Sequence, residues 1–187
     1  MKRKIVAVTG GIGSGKSEVG RILRQMGYQT VDCDALAKEI ANEPEVIAAV
    51  ERLLGSDSVQ NGAINRQKVR ETVFTDAKLL QKYDEIFFER VRQRLVELSN
   101  GARGALFVEI AVIDAFDFPF DEIWLVESRK STRIDRVTAR DNVSAENVEH
   151  IMERQRYPKF TRLIDNDGTL EQLKKQVLSC ISDAQIV

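Results

Sequence analysis

The sequence is poor in the residues that carry redox, zinc and imidazole chemistry. It has one histidine and two cysteines, Cys33 and Cys180. Two cysteines so far apart make neither a disulfide framework nor a metal-ligand pair. Cys33 reads as a small buried filler. The lone His150 falls mid-helix and reads as a surface or packing residue. Charge of one sign is missing as well: 28 basic against 29 acidic side chains leave a net charge of −1. That excludes a bulk electrostatic pull toward nucleic acid or an anionic membrane, so any anion binding must be local. No apolar run approaches the ~20 residues of a membrane span. The chain enters its first strand at once, with no signal-peptide pattern. These absences predict a cytoplasmic protein with no nucleic-acid or membrane partner. Repeats and low-complexity linkers are absent too, so nothing marks a domain boundary. What remains, 43% hydrophobic and 30% charged over 187 residues, is the composition of one soluble globular domain with a real core.

Against that background one stretch stands out, Thr9-Gly10-Gly11-Ile12-Gly13-Ser14-Gly15-Lys16-Ser17. It follows the apolar run Ile5-Val6-Ala7-Val8, which reads as a strand. It opens a segment where Val19, Ile22, Leu23 and Met26 take helical spacing. Gly27 then supplies a stop. Gly10, Gly15, Lys16 and Ser17 match G-x-x-x-x-G-K-[ST], and a strand–loop–helix setting is what confirms that pattern as a phosphate loop. Gly11, Ile12, Gly13, Ser14, Gly15, Lys16 and Ser17 are therefore the predicted ATP-binding turn. Its glycines let backbone N–H groups turn inward around phosphate oxygens, and the helix that follows points its positive end at the same anion. Lys16 can reach the β- and γ-phosphates. The Ser17 hydroxyl can ligate Mg2+.

The rest of the chain alternates strands and helices. Tyr28 to Val31 reads as a strand ending in Asp32-Cys33-Asp34, ahead of a helix from Ala35 to Ala41. Carboxyl ends of parallel strands line the ligand crevice. One of these carboxylates can take a proton from an acceptor hydroxyl, and the other can hold Mg2+ through water. The plain alternative is that one Asp only caps the helix. Residues 43–100 read as helical, with Asn65 and Asp76 as caps and a turn at Asn61-Gly62. Such a helical insertion is where a kinase can hold its acceptor. Ala105 to Val112 reads as a buried central strand, interrupted by Glu109. A carboxylate there faces a cation, an arginine or the site, and metal-water ligation and a structural ion pair stay equally open. Ile123 to Val126 is a fourth strand. Arg133, Arg136 and Arg140 then share one helical face. That face is either solvated or a lid closing over a triphosphate. Arg162 to Asp165 reads as the last strand, and Thr169-x-x-Gln172 is a capping box for the closing helix. Five short strands with helices between them predict an α/β fold, a five-stranded parallel sheet covered on both faces.

Several of these segments, in order, resemble the dephospho-coenzyme A kinases. Residues 8–17 look like that family's phosphate loop, and 27–37 like its G-x-x-V-I-D-A-D-x-x-A segment. N-G-A-I-N-R at 61–66, R-V-T-A-R-D at 136–141, the run 143–155 and I-D-N-D-G at 164–168 resemble its further motifs. The resemblance implies a nucleotide-kinase-like domain with a core at 1–42, 102–128 and 160–187, a helical acceptor region at 43–101 and a lid at 129–159. It implies transfer of the ATP γ-phosphate to the ribose 3′-hydroxyl of dephospho-CoA. Carried over by position, Asp34 is the base, Lys16 and Ser17 hold phosphates and Mg2+, and Arg140 is the lid arginine, which leaves Asp32 as the carboxylate that can hold Mg2+ through water. Asn166 and Gly168 fall beside the adenine, and the acceptor falls to Asp34, Arg66, Phe88 and Glu109. The sequence departs from the family at Phe88-Glu89, where His-Pro is usual, and after Glu109, where P-L-L-x-E is usual. A diverged kinase acting on another nucleotide or small alcohol stays open as a second reading, as does a nucleotide-binding relative without catalysis.

Overall fold

The computed structural model describes residues 4–102, 104–113 and 116–186. The stretches 1–3, 114–115 and residues 103 and 187, which the sequence reading includes in the core, lie outside the described residues. The chain forms two compact units, one built from 1–32 and 99–187 and one from Cys33–Leu98.

The first unit is a sheet. Its strands are β1 (Ile5–Thr9), β2 (Gln29–Asp32) and, after the second unit, β5 (Leu106–Glu109), β6 (Glu122–Glu127) and β7 (Arg162–Asp165). All pair in parallel in the order β2-β5-β1-β6-β7. The alternating burial of a one-faced strand is absent. Val6, Ala7 and Val8 are all buried, as are Leu106, Phe107 and Val108, so both faces of the sheet are covered. On one face α1 (Lys16–Gln25) and α8 (Leu170–Asp183) pack Val19, Ile22, Leu23, Leu173 and Val177 against Phe107, Trp124 and Ile164. The predicted capping box of α8 is present, with Thr169 and Gln172 each bonding the other's backbone N–H. Helices α6 (Lys130–Asp141) and α7 (Ala145–Arg154) complete the unit, and Ser144 caps α7 as its sequence predicts. The strand expected from 105 to 112 is shorter. Ile110 still donates to Val8, but Ala111 and Val112 are exposed and leave the sheet.

At the amino end of the sheet sits a closed polar knot. Glu122, buried at the start of β6, accepts from Trp124 Nε1 at 3.0 Å and from Arg162 Nε at 2.8 Å. Lys4 Nζ lies 3.4 Å from the same carboxylate. Burial pushes the Glu122 carboxyl up, but these donors outweigh it and hold it below the usual glutamate value.

The second unit carries α2 (Cys33–Ile40), α3 (Pro44–Leu54), α4 (Arg66–Val73) and most of α5 (Ala77–Gly101). Its core is Val50, Val69 and Val73, packed by Leu54, Ile64, Leu80, Tyr83, Ile86 and Phe87. Asn65 caps α4, and Asp76 Oδ1 accepts from Lys78 and Leu79 at the start of α5. The segment is not all helix. A two-residue hairpin, β3 (Val59–Gln60) with β4 (Ala63–Ile64), turns at Asn61-Gly62, both with positive φ. The compact unit that holds these helices begins at Cys33 and so includes α2. Cys33 is buried, as expected. No helix among the described residues is long and apolar enough to cross a membrane.

Candidate active site

The glycine-rich loop leaves the carboxyl end of β1, the central strand, whose neighbours β5 and β6 belong to opposite halves of the sheet. That reversal of strand order is where open α/β sheets bind ligands. The loop ends at Gly15, which caps α1 in the left-handed conformation (φ +94°). Only glycine fits, because a Cβ there would stand 1.9 Å from Asn166 Nδ2. Lys16 Nζ donates to the carbonyls of Gly10 (2.7 Å) and Gly11 (3.3 Å), so it lies back along the loop it belongs to.

The loop is braced from three sides. Arg133 is buried; its Nε donates to Ile12 O at 2.8 Å, and its two terminal nitrogens donate to Tyr157 Oη and Gln155 Oε1. The same Gln155 oxygen accepts from Ile12 N at 3.0 Å. Arg136 donates to Ser128 Oγ (2.9 Å) and Asn166 O (2.7 Å), with weaker contacts to Gly13 and Ser14 carbonyls. Asn166 is buried and donates from Nδ2 to Ser14 O at 2.9 Å. The basic face of α6 is drawn onto the loop. Two of its three arginines are committed to loop carbonyls, where a guanidinium's fixed fork satisfies groups that a buried turn would leave unpaired. Asn166, expected beside the adenine, spends its side chain on the loop, while Gly168 borders a shallow pocket with Gln172 and Lys175.

Arg140 is the arginine of that face left outward. It is exposed, bonds Asp141 through two 2.7 Å hydrogen bonds, and borders a cavity of about 150 Å³ over the loop, with Gly13, Lys16, Ser17 and Arg136. A second cavity of about 460 Å³ opens on the loop's other side, between Gly10-Gly11, residues 111–113 and residues 154–157.

A pair of carboxylates faces the loop's last residues. Asp32 ends β2 and Glu109 ends β5, and the two are direct partners across the parallel ladder. Glu109 accepts from Ser17 Oγ at 2.5 Å and crosses α1 at Gly20, where a Cβ would come within 3.2 Å of its Oε2. Burial raises the Glu109 carboxyl above the usual glutamate value. The Ser17 bond pulls it back, Asp32 pushes it further up, and Lys16 and Arg24 offset that only in part. Among the described residues Glu109 is bonded to a hydroxyl, that of Ser17, beside a second carboxylate, with Lys16 and Arg24 as the cations acting on it.

The remaining expected site residues lie in the helical unit. Asp34 is exposed in the first turn of α2, which begins two residues earlier than its sequence suggested. Ala37, Lys38 and Ala41 follow it at i+3, i+4 and i+7, so they share its face of the helix. Those three line a cavity of about 410 Å³ that Arg66 and Phe88 also border. Arg66 and Phe88 therefore border one cavity, whose lining does not include Asp34, while Glu109 is grouped with the phosphate loop instead. Arg133, Gln155, Gly20 and Arg24 were not legible as site residues. Only the arginine spacing pointed toward any of them.

A model of the dephospho-CoA kinase family matches residues 4–172. The chain belongs to the dephospho-CoA kinase family. Among curated family members, that of Hydrogenovibrio crunogenus is 32% identical, over 97% of this chain and 98% of its own length. That of Chlorobaculum tepidum is 33% identical over 92% and 91%. A crystal structure of a Thermus thermophilus protein superposes with a TM-score of 0.83 at 29% identity, covering 98% of both chains. The Campylobacter jejuni dephospho-CoA kinase (TM-score 0.60, 18% identity, 96% of both chains) shares the fold. So does a shikimate kinase from Bacteroides thetaiotaomicron (TM-score 0.58, 12% identity, 97% and 98%). The family match and the superpositions thus extend over nearly the whole chain, residues 43–101 included.

Proposed function

We propose that the protein transfers the γ-phosphoryl group of ATP to the ribose 3′-hydroxyl of dephospho-CoA, forming CoA and ADP. The observation that carries this reading is the family match over residues 4–172, in a chain whose phosphate loop is intact and braced at the sheet's switch point. The loop's backbone and the N-terminus of α1 hold the phosphates of ATP. Lys16 swings from the Gly10 carbonyl to the β- and γ-oxygens, and Arg140 neutralises charge on the phosphoryl group in transit. Asp34 accepts the proton of the acceptor hydroxyl as its oxygen bonds to the γ-phosphorus. The bond from that phosphorus to the bridging oxygen breaks, and ADP keeps the electron pair.

Mg2+ fits the oxygen donors at the end of the loop. Ser17 offers a hydroxyl, and Asp32 and Glu109 stand where their carboxylates can take hydrogen bonds from metal-bound waters. Bound there with ATP, the ion would neutralise charge on the β- and γ-oxygens. Among the described residues no group of three or more acidic, histidine or cysteine side chains could cage a metal. Its other ligands then come from phosphate and water, as is usual for Mg2+. Glu109 accepts the Ser17 hydroxyl's hydrogen bond, and that oxygen would be the ligand offered to the ion.

The test is a coupled ADP-release assay across dephospho-CoA, nucleosides, nucleotides and pantetheine derivatives. Dephospho-CoA is expected to be consumed with CoA as product. ADP release that responds only to another acceptor refutes the assignment.

A further inference from the structure

Gly20 sits buried in the middle of α1, inside unbroken helix. Glycine weakens a helix interior relative to alanine, and a helical backbone does not ask for it. The reason lies across the helix. A Cβ at this position would stand 3.2 Å from Glu109 Oε2, closer than a methyl group and a carboxylate oxygen ordinarily sit. The next atoms it would meet, Arg24 Nη1 and Nη2 at 3.6 and 3.9 Å, are at ordinary contact. Ser17, Gly20 and Arg24 fall at i, i+3 and i+7, one face of α1. On the sheet below, Thr30 and Asp32 of β2 pair in register with Phe107 and Glu109 of β5, so all four project to one side. Arg24 Nη1 donates to Thr30 Oγ1 at 3.0 Å at one end of this face. Ser17 Oγ donates to Glu109 Oε1 at 2.5 Å at the other. Between them, the second oxygen of that carboxylate takes the space a side chain at residue 20 would fill. A carboxylate is rigid and planar, so Oε2 cannot be pushed out of the gap without moving Oε1 from Ser17. Asp32, a like charge, stands beside it on the ladder.

We infer that Gly20 is a positioning residue for the reaction: its missing side chain lets the Glu109 carboxylate lie along α1 with one oxygen on the Ser17 hydroxyl, the group offered to Mg2+. The inference rests on the Mg2+ placement above and adds the residue that fixes it. Residues 20 and 109 then act as one unit. A carboxylate of glutamate length needs glycine opposite it, and a shorter one does not. Groups that orient a metal's ligands act on metal affinity without touching the ion, and Gly20 would do so at one further remove.

The test is a cycle of Gly20→Ala, Glu109→Asp and the double variant. ATP binding is titrated at equilibrium with Mg2+ and with the metal chelated, alongside thermal melting. Gly20→Ala should melt no lower than wild type, and up to about 2–4 °C higher, because alanine is the better helix former. It should need roughly 10-fold more Mg2+ for half-maximal ATP binding, yet bind metal-free ATP as wild type does. Aspartate is one methylene shorter and draws the carboxylate out of the gap. In the Glu109→Asp background the alanine should therefore leave the Mg2+ requirement where Glu109→Asp alone puts it. A folded Gly20→Ala protein with the wild-type Mg2+ requirement overturns the inference. So does a loss that persists undiminished beside Glu109→Asp, which would place the effect in the helix and not in the carboxylate. Should Gly20→Ala fail to fold, Glu109→Asp is expected to restore it, and no rescue overturns the inference as well. Wild-type ATP binding that ignores Mg2+ removes the metal placement and this inference with it. A wild type that binds ATP with Mg2+ but leaves dephospho-CoA unused fails the acceptor reading alone.

Discussion

Glu109 closes β5 at the carboxyl end of the sheet, and Glu122 opens β6 at the amino end. Both are shielded from water, and burial is the largest single influence on each. Glu122 answers it with an indole N–H, a guanidinium and an ammonium, and ends below the usual glutamate value. Glu109 has a hydroxyl, a neighbouring carboxylate and two cations, Lys16 and Arg24, that offset burial only in part, and ends above it. One end of the sheet is compensated for stability. The other is left short of positive charge, which is where a metal ion and a lysine freed from its loop would be drawn. Perturbed carboxyls at a crevice mark functional sites for this reason.

If the comparison is right, changes at the carboxyl end alter turnover and spare the fold. Lys16→Ala is expected to remove measurable turnover and weaken ATP binding while the melting curve stays in place. ATP titration alongside rate measurement checks this, and near-normal activity would break the comparison at its strongest point. Arg140→Ala should cut turnover about 10³-fold. Its exposed pair with Asp141 is worth only ~0–1 kcal/mol, so the melting temperature should hardly move. A sharp drop in melting temperature with normal specific activity would instead make Arg140 structural. Asp34→Asn, nearly isosteric, should keep ATP binding and lose ~10²–10⁴ in turnover; a wild-type rate with dephospho-CoA removes it as the base.

Changes at the amino end should do the reverse. Glu122→Gln removes the buried charge that Arg162, Lys4 and the Trp124 indole answer, leaving Arg162 only its longer contact with Asp183, and is expected to cost about 3 kcal/mol, roughly 6–12 °C in a chain of this length. Specific activity of the folded protein should survive. The sign with pH is fixed by the lowered carboxyl: the folded state holds that proton more weakly than the unfolded state. Its stabilising share is present above the ordinary glutamate value and lost as pH falls through the lowered one. The variant should therefore lose its disadvantage in acid, which pH-dependent melting tests.

Glu109→Gln is the smallest and most diagnostic change. The folded protein holds the Glu109 proton more tightly than the unfolded chain, so wild-type stability declines as pH rises from the ordinary glutamate value through the raised one. The variant should melt slightly higher than wild type at neutral pH and lose that lead as the medium is acidified. It should also need more Mg2+ for half-maximal rate. A variant that melts lower at neutral pH and keeps its Mg2+ requirement would make Glu109 another Glu122.

Much of this arrangement is legible before any coordinates. Parallel strands buried on both faces leave runs such as Ile5–Val8, and caps such as Asn65, Asp76, Ser144 and Thr169 act within three residues of their targets. What fails to show in sequence is whatever acts across the fold. The spacing of Arg133 and Arg136 gives their common face, but the phosphate-loop carbonyls they reach lie more than 100 residues away. The same is true of Ser17 and Glu109, 92 residues apart. The β3–β4 hairpin escaped for the opposite reason. Two residues per strand are too few to display a period of two, and only the Asn-Gly turn was visible.

The strand order has a consequence for the protein's synthesis. β1 is bonded only to β5 and β6, and β2 only to β5, so neither early strand has an early partner. At ~5–20 residues per second, the ribosome takes roughly 5–20 s to deliver the hundred residues that separate Ile5 from Leu106. Through that interval Ile5-Val6-Ala7-Val8 is an apolar ribbon with open edges, a natural client for a chaperone near the exit tunnel. The helical unit, whose contacts are local, can condense meanwhile. The sheet then closes late and nearly at once, when one returning strand gives both of the earliest ones a neighbour.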